Sequence, residues 1–222
     1  MPVALDLPAA EVAIIERTNV FRAANKLSPV QPNAKLTAAA RAYAQKLSRT
    51  DELSHMLDGT TPAQRIKQSG YNYCQVGENL ASLLDRRGFS AAEYARRAVE
   101  GWENSPGHRA NMLLPHVTET GVGIARSTKG TAPQYVAVQL FARPEAAKYR
   151  FTIVNESRSV IDYAFGGDAN KISPRETVTH SACVPGEITF AAVRPTARYE
   201  ARDGQVYTLK ASSSGVEVEV SR

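Results

Sequence analysis

The stretch GWENSPGHRANML, from Gly101 to Leu113, decides how the rest of the sequence is interpreted. It holds the chain's single tryptophan, Trp102, next to Glu103, and His108 follows a Ser-Pro-Gly turn. Neighbouring residues of a helix point about 100° apart, so Trp102 can pack in a core while Glu103 faces a cleft. Pro106 stops the helix and redirects the chain. The stretch therefore predicts that Glu103 and His108 share a cleft, with Ser105 capping the next turn of helix.

Helical patterns occupy most of the sequence before this stretch. Apolar residues recur at helical spacing over 9–24, 36–47 and 91–103. Thr61 and Pro62 have the chemistry of a helix cap and a first helical residue, and Gly70 is placed to end that short helix. Pro106 starts a further short turn of helix that includes His108.

Strand patterns alternate with these helices. The segments YNYCQVGENLA (71–81), TETGVGIAR (118–126) and QYVAVQLFA (134–142) carry the branched and aromatic residues that strands favour. The last two are neighbours in sequence and are joined by a turn-rich segment, which favours an antiparallel pair. The sequence up to residue 144 therefore predicts an α+β domain with an antiparallel sheet.

The segment ARPEAAKYR (142–150) marks a change of pattern, and we place a domain boundary there, giving domains 1–144 and 145–222. The sequence after this segment has short runs of alternating apolar and polar residues, separated by Gly, Pro, Asn and Asp, and this pattern predicts strands and turns. This predicts a small all-β domain, sandwich-like in architecture. Asp203-Gly204 is a typical hairpin dipeptide and predicts a hairpin at that point.

Composition limits the classes of function. The 222 residues are 43 % hydrophobic, enough for a substantial core, and no apolar run is long enough to cross a membrane. The net charge of +5 arises before residue 145, but the basic residues are dispersed and lack interleaved aromatics. Nucleic-acid binding is therefore disfavoured. The two cysteines, Cys74 and Cys183, form no zinc-type pattern, and whether they pair in a disulfide stays open at this point.

Three further signals accompany the opening stretch. SHMLDG supplies His55, GENLA supplies Glu78, and the opening stretch supplies Glu103 and His108. Two imidazoles and two carboxylates are the ingredients of one polar site. The imidazoles of His55 and His108 are candidate ligands of Zn²⁺ or another divalent metal. The alternative is a hydrogen-bonded tetrad that contains no ion.

The order of these motifs resembles the CAP superfamily, also called SCP-like or antigen 5/pathogenesis-related-1, in its bacterial form, over roughly the first two thirds of the chain. The matching positions are His55, Gly59, Arg65, Gly70, Tyr71, Gly77, Glu78, Asn79, Trp102, Ser105, Gly107, His108, Arg109, Asn111 and Met112. The resemblance implies an α-β-α sandwich whose cleft holds His55, Glu78, Glu103 and His108. The family's G-H-[FY]-T-Q strand is replaced by PHVTETGVGIAR (115–126), and the cysteines and hinge typical of eukaryotic members are absent.

The resemblance also sets the expectations for function. Family members are mostly secreted, so we expect an extracytoplasmic protein. The first fifteen residues lack the layout of a signal peptide, and we expect that segment to be missing from this chain. The expected partners are a small apolar or lipid-like ligand, or another protein, and the sequence leaves the oligomeric state open.

Two classes of function remain, with a purely structural surface protein as a weaker third. In the first, the cleft binds a ligand, a divalent metal or both, without catalysis. In the second, the chain is a zinc-dependent hydrolase in which His55 and His108 hold the metal and Glu78 or Glu103 is the general base. Two histidines are one ligand short of the usual catalytic zinc site, so we favour the binding module.

Overall fold

The computed structural model describes residues 3–50, 52–129, 131–191, 193, 197–213 and 215–222. The chain divides into two compact units, residues 1–146 and residues 147–222. Each unit has its own hydrophobic core and is described separately below.

A four-stranded sheet runs through the first unit. Its strands are β1 (Gln31–Pro32), β2 (Tyr73–Leu84), β3 (Glu119–Arg126) and β4 (Gln134–Pro144). The spatial order is β1-β3-β4-β2, in which β1 runs parallel to β3 and the other pairs are antiparallel. The central strand β4 is buried along nearly its whole length because both faces of the sheet are covered.

Among the described residues, the sheet is covered by the helices α1 (Leu7–Ala24), α2 (Ala34–Leu47), α3 (Pro62–Gln68), α4 (Ala91–Glu103) and α5 (Pro106–Met112). Residues of α1, α4 and α5 build one core with one face of the sheet, around Trp102 and Phe141. Residues of α2 and α3 build a second core on the other face, around Leu36 and Val138. The predicted α-β-α sandwich and its antiparallel sheet are confirmed.

The segment GVG in β3 explains how closely α2 approaches the sheet. Gly121 and Gly123 are two residues apart, so they face the same side of the strand. A Cβ atom on Gly121 would lie 2.3 Å from the backbone of Leu36, and one on Gly123 would lie 2.1 Å from the backbone nitrogen of Arg41. The many alanines of α2 also favour this close approach, since small side chains allow the helix to pack near the strand.

The predicted start and end signals of α3 are confirmed. Thr61 accepts a hydrogen bond from the Gln64 backbone N–H, and the Gln64 side chain accepts one from the Thr61 backbone, which makes a capping box. Gly70 follows the helix with a φ of +77°, a conformation that glycine adopts without strain. Local chemistry therefore fixes the position of this helix, which carries Arg65.

The second unit is all β, as predicted. Its strands are β5 (Tyr149–Asn155), β6 (Ile161–Phe165), β7 (Asp168–Ile172), β8 (Thr177–Ala182), β9 (Glu187–Phe190), β10 (Arg198–Glu200), β11 (Val206–Ser212) and β12 (Gly215–Ser221). They form two sheets of four strands, in the orders β10-β9-β6-β7 and β12-β11-β5-β8. Strands β5 and β11 pair in parallel, and the other pairs are antiparallel.

The hairpin predicted at Asp203-Gly204 is wrong. The turn is present, with a φ of +75° at Gly204, but β10 before it pairs with β9 and β11 after it pairs with β5 and β12. The turn therefore carries the chain from one sheet to the other. A two-residue hairpin lies instead at Gly166-Gly167, where both φ angles are positive and Phe165 pairs with Asp168.

Candidate functional site

His55 and Glu78 are in direct contact. His55 lies in the loop between α2 and α3, and Glu78 lies in the middle of β2. The Nδ1 atom of His55 is 2.7 Å from Oε1 of Glu78. The Glu78 side chain is 2 % exposed, whereas that of His55 is 50 % exposed. A carboxylate at Nδ1 holds that ring nitrogen as the donor, so the Nε2 atom of His55 is left available to a ligand.

Arg65 holds the second oxygen of the same carboxylate. Its Nη2 atom donates to Oε2 of Glu78 over 2.6 Å, and its Nη1 atom donates to the backbone carbonyl of His55 over 3.1 Å. The guanidinium also lies 3.4 Å above the ring centre of Tyr43. Sequence reasoning places Arg65 in the family motif but not in the site. Its role depends on the burial of Glu78, which the sequence does not show, since a buried carboxylate requires a cation.

His108 lies on α5, which two amide side chains tie to β2. Asn79 donates to the His108 carbonyl over 3.1 Å, and Asn111 donates to the Glu78 carbonyl over 2.9 Å. Burial lowers the pKa of His108 below its ordinary value, and the charge of His55 lowers it further. His108 is therefore a neutral imidazole near pH 7, and it lies close enough to His55 for their charges to interact.

Trp102 fixes helix α4 against strand β2. Its side chain is 1 % exposed, and its indole N–H donates to the Leu80 carbonyl over 2.8 Å. The predicted packing role of Trp102 is thus confirmed, with an added hydrogen bond to β2. One side chain fixes α4, and hence the start of α5, against the strand that carries Glu78.

Glu103 is the last residue of α4. It lines a groove between α1 and α4, together with Glu16, Arg17, Val20 and Phe21 among others. His108 and Ser105 line a second groove, between α4 and β2. The structure thus brings His55 and Glu78 into contact, with His108 nearby. That Glu103 shares a cleft with these residues stays a prediction.

Ser105 occupies the cap position of α5, as predicted, but its side chain makes no capping hydrogen bond. Pro106 follows as the first helical residue and brings the φ that a helix start needs. The start of α5 is therefore set by the proline and by contacts with β2. The Ser105 side chain lines the groove of His108 instead.

The donor set is smaller than that of an ordinary protein zinc site. Zinc sites use three or four protein ligands, and the described residues hold no group of three or more His, Cys, Asp or Glu able to bind a metal. Both oxygens of Glu78 are already engaged, by His55 and Arg65. Metal binding by His55 and His108 stays a prediction.

Two general properties bear on where the protein works. Both cysteines, Cys74 and Cys183, are disulfide-bonded. Disulfides persist in oxidising compartments. Among the described helices, none has the length and apolar character that crossing a membrane requires.

Comparison with known proteins identifies the first unit. The CAP family, described as the Cysteine-rich secretory protein family, matches residues 15–141. The Bacillus subtilis protein YkwD is 32 % identical over 129 residues, which cover 58 % of this chain and 47 % of YkwD. The chain thus spans about half the length of that relative.

Two solved structures share the fold. One is an extracellular protein of Bacillus anthracis that contains an SCP domain, at 22 % identity and a TM-score of 0.52, covering 62 % of this chain and 41 % of that one. The other is an outer surface protein of Borrelia burgdorferi, at 24 % identity and a TM-score of 0.53, covering 65 % of this chain and 100 % of that one. The family match spans more than half of the sequence, so this chain belongs to the CAP family.

Proposed function

We propose that this protein is an extracytoplasmic binding module that acts without catalysis and receives its ligand beside His55 and His108. The location is supported by the two solved structures of like fold, one described as extracellular and the other as an outer surface protein. It is also supported by the disulfide-bonded state of both cysteines.

The observation that best supports a role without catalysis is that both carboxylate oxygens of Glu78 are already hydrogen-bonded. A general base needs a free carboxylate oxygen within reach of the proton that it removes. Both oxygens of Glu78 are occupied, one by His55 and one by Arg65, and the side chain is almost fully buried. Glu78 therefore orients the His55 ring. The cleft offers His55 Nε2 and the neutral His108 ring to a ligand as hydrogen-bonding groups.

The zinc-dependent hydrolase is the alternative, and calorimetry separates it from the binding module. Metal-stripped protein is titrated with zinc near neutral pH, beside the His55→Ala/His108→Ala double mutant. We expect no stoichiometric uptake by either protein, and no turnover of ester or peptide substrates. Stoichiometric binding that vanishes in the double mutant, together with zinc-dependent hydrolysis, would replace the binding module with the hydrolase.

A lipid-like ligand is a second candidate, favoured by the groove between α1 and α4. The groove has a volume of about 650 Å³, and its lining includes the apolar side chains of Ala13, Val20, Phe21 and Val99. The same lining carries five charged side chains. Arg17 and Arg96 have the charge to attract a fatty-acid carboxylate, and Glu16, Glu100 and Glu103 oppose it. The support for a lipid-like ligand is therefore the apolar part of the lining, since small-molecule sites are lined mainly by apolar side chains.

Two exposed valines of α1 provide a matched test of this groove. Val20 lines it and is 72 % exposed, whereas Val12 is 55 % exposed and is not part of the lining. With the fluorescent fatty acid cis-parinaric acid as the probe, Val20→Glu should weaken binding and Val12→Glu should not. Equal binding by both variants and the wild type would exclude this groove as the lipid site.

A further inference from the structure

One edge of the sheet in the first unit is formed by β2, whose second neighbour is missing among the described strands. The carbonyls of Gln134 and Ala142 accept hydrogen bonds from residues on the β3 side, Ser127 and Thr118. The backbone N–H and C=O groups of the even-numbered β4 residues therefore point toward β3. From Val76 to Leu84, beyond the register shift at the start of β2, their partners in β2 are even-numbered as well. The backbone groups of the even-numbered β2 residues thus face the free edge, since alternate antiparallel pairs exchange no hydrogen bonds.

Side chains of the first unit cap three backbone groups at the edges of its sheet. Trp102 donates to the Leu80 carbonyl and Asn111 to the Glu78 carbonyl, both on the free edge of β2. On the far side of the sheet, the Glu11 carboxylate accepts from the Ile124 backbone N–H of β3 over 3.1 Å. Such covers prevent unwanted strand pairing.

These side-chain hydrogen bonds do not extend to the end of β2. Among the described residues, no side chain caps the backbone of Ser82 or Leu84, and both residues are exposed. Two residues with outward N–H and C=O groups therefore remain open on this edge. They match the hydrogen-bonding pattern of one extended peptide.

A groove of about 250 Å³ runs along the same edge. It is lined by residues 80–83 of β2, by Ala98 and Gly101 of α4, and by His108. A Cβ atom built on Gly101 would meet no described heavy atom within 4 Å, so the helix surface there is open. Helices α4 and α5 flank the groove, which leaves room for a single extended chain and not for the edge of another folded sheet.

We propose that the ligand of this cleft is an extended peptide that adds to β2 as a fifth strand. It exchanges main-chain hydrogen bonds with Ser82 and Leu84 and places a small or apolar side chain above Gly101. The inference rests on the proposed function, because His108 lines the same groove.

The test uses a display library of random octapeptides, selected on the full-length protein. Affinities of the selected peptides are then measured by fluorescence polarisation. Ser82→Pro removes one outward N–H at an edge position where proline is tolerated. Ser82→Ala is its control, since it keeps that N–H. We expect about a tenfold loss of affinity for Ser82→Pro and little change for Ser82→Ala.

A second pair of variants protects the test against misfolding. Gly101→Leu fills the groove with a better helix former, so the fold should be kept. Gly101→Ala is the matched control that leaves the groove open. We expect Gly101→Leu to lose binding and Gly101→Ala to keep it. In hydrogen exchange, the Ser82 and Leu84 amides should become protected when a selected peptide is added.

Strand addition is overturned if no peptide is selected, or if selected peptides bind Ser82→Pro and Gly101→Leu as tightly as the wild type. The His55→Ala/His108→Ala variant separates this failure from failure of the proposed function. Peptides that ignore the edge variants but lose affinity for the double histidine variant would leave the binding cleft in place and remove strand addition. Zinc-dependent hydrolysis in the calorimetry test would remove the proposed function itself.

Discussion

Arg65 and Glu78 form an ion pair that is almost completely withdrawn from water. The guanidinium Nη2 atom lies 2.6 Å from the carboxylate, and the two side chains are 7 % and 2 % exposed. Such a pair is costly to break, because the remaining partner is left as a buried charge. Through this contact α3 is tied to β2, and the His55 ring is held at the surface of the cleft.

The first prediction concerns this pair. Glu78→Gln leaves the Arg65 guanidinium without a carboxylate, so the free energy of unfolding should fall by about 3–5 kcal/mol. The double variant Arg65→Met/Glu78→Leu should lose less of the free energy of unfolding than either single substitution, because it leaves no buried charge without a partner. Urea unfolding of the wild type and these variants measures both effects. A loss below about 1 kcal/mol for Glu78→Gln would contradict the buried pair.

The second prediction concerns the titration of His108. Burial is the first cause of its lowered pKa, and the charge of His55 is the second. Proton NMR should therefore show His108 titrating below the ordinary value of about 6.5. His55→Ala should raise the pKa only part of the way back. Because the folded pKa is lowered, the stability linked to His108 is complete above about pH 6.5 and is lost as the pH falls through the folded pKa.

Two outcomes would count against that account of His108. A pKa above its ordinary value would mean that the ring is not desolvated. A full return to the ordinary value in His55→Ala would make charge, and not burial, the main cause. His116→Ala serves as a control, since the charge of His116 is not among the causes of the shift.

The third prediction separates two residues at cap positions. The Thr61 side chain caps α3 in a capping box, whereas the Ser105 side chain makes no capping bond to α5. Thr61→Ala should therefore destabilise the protein by about 1 kcal/mol, and Ser105→Ala by only a few tenths. Thermal and urea unfolding give the comparison. Equal losses would show that Ser105 caps α5 in solution.

The fourth prediction concerns the contact between α2 and β3. In Gly123→Ala the new methyl group would lie 2.1 Å from the Arg41 backbone nitrogen, so the helix must move away from the strand. We expect a destabilisation of about 1–3 kcal/mol or more. Gly101→Ala, where the methyl group is unobstructed, should be neutral or stabilising by up to about 1 kcal/mol. Similar effects at both sites would refute the close contact.

The fifth prediction is a thiol count. Since both cysteines are disulfide-bonded, Ellman's reagent should detect no thiol in protein that is unfolded without reductant. The same protein after reduction should give two thiols per chain, one from each cysteine. Detection of two thiols before reduction would show that the cysteines are free.

Local chemistry made much of the fold predictable. The capping box at Thr61 and the glycine at Gly70 bound α3 by interactions within a few residues. Trp102 revealed the buried face of α4 for the same reason, since helical spacing fixes which side chains share a face. These signals need no knowledge of distant parts of the chain.

Features that depend on partners far away in sequence were missed or misread. Strand β1 has two residues and exists only because it pairs with Glu119 and Thr120. The Asp203-Gly204 turn has the composition of a hairpin, but the sheets that its flanking strands join are decided elsewhere.

The parallel pairing of β5 with β11 has a consequence for biosynthesis. Strand β5 is the first strand of its unit to leave the ribosome, and its partner β11 is among the last. The first unit can complete its sheet while translation continues, because its strands all precede residue 147. The second unit can close only after β11 and β12 have left the ribosome, so its folding waits for distant partners and is relatively slow. Truncations within the last two strands should therefore leave a folded CAP domain attached to an unfolded tail.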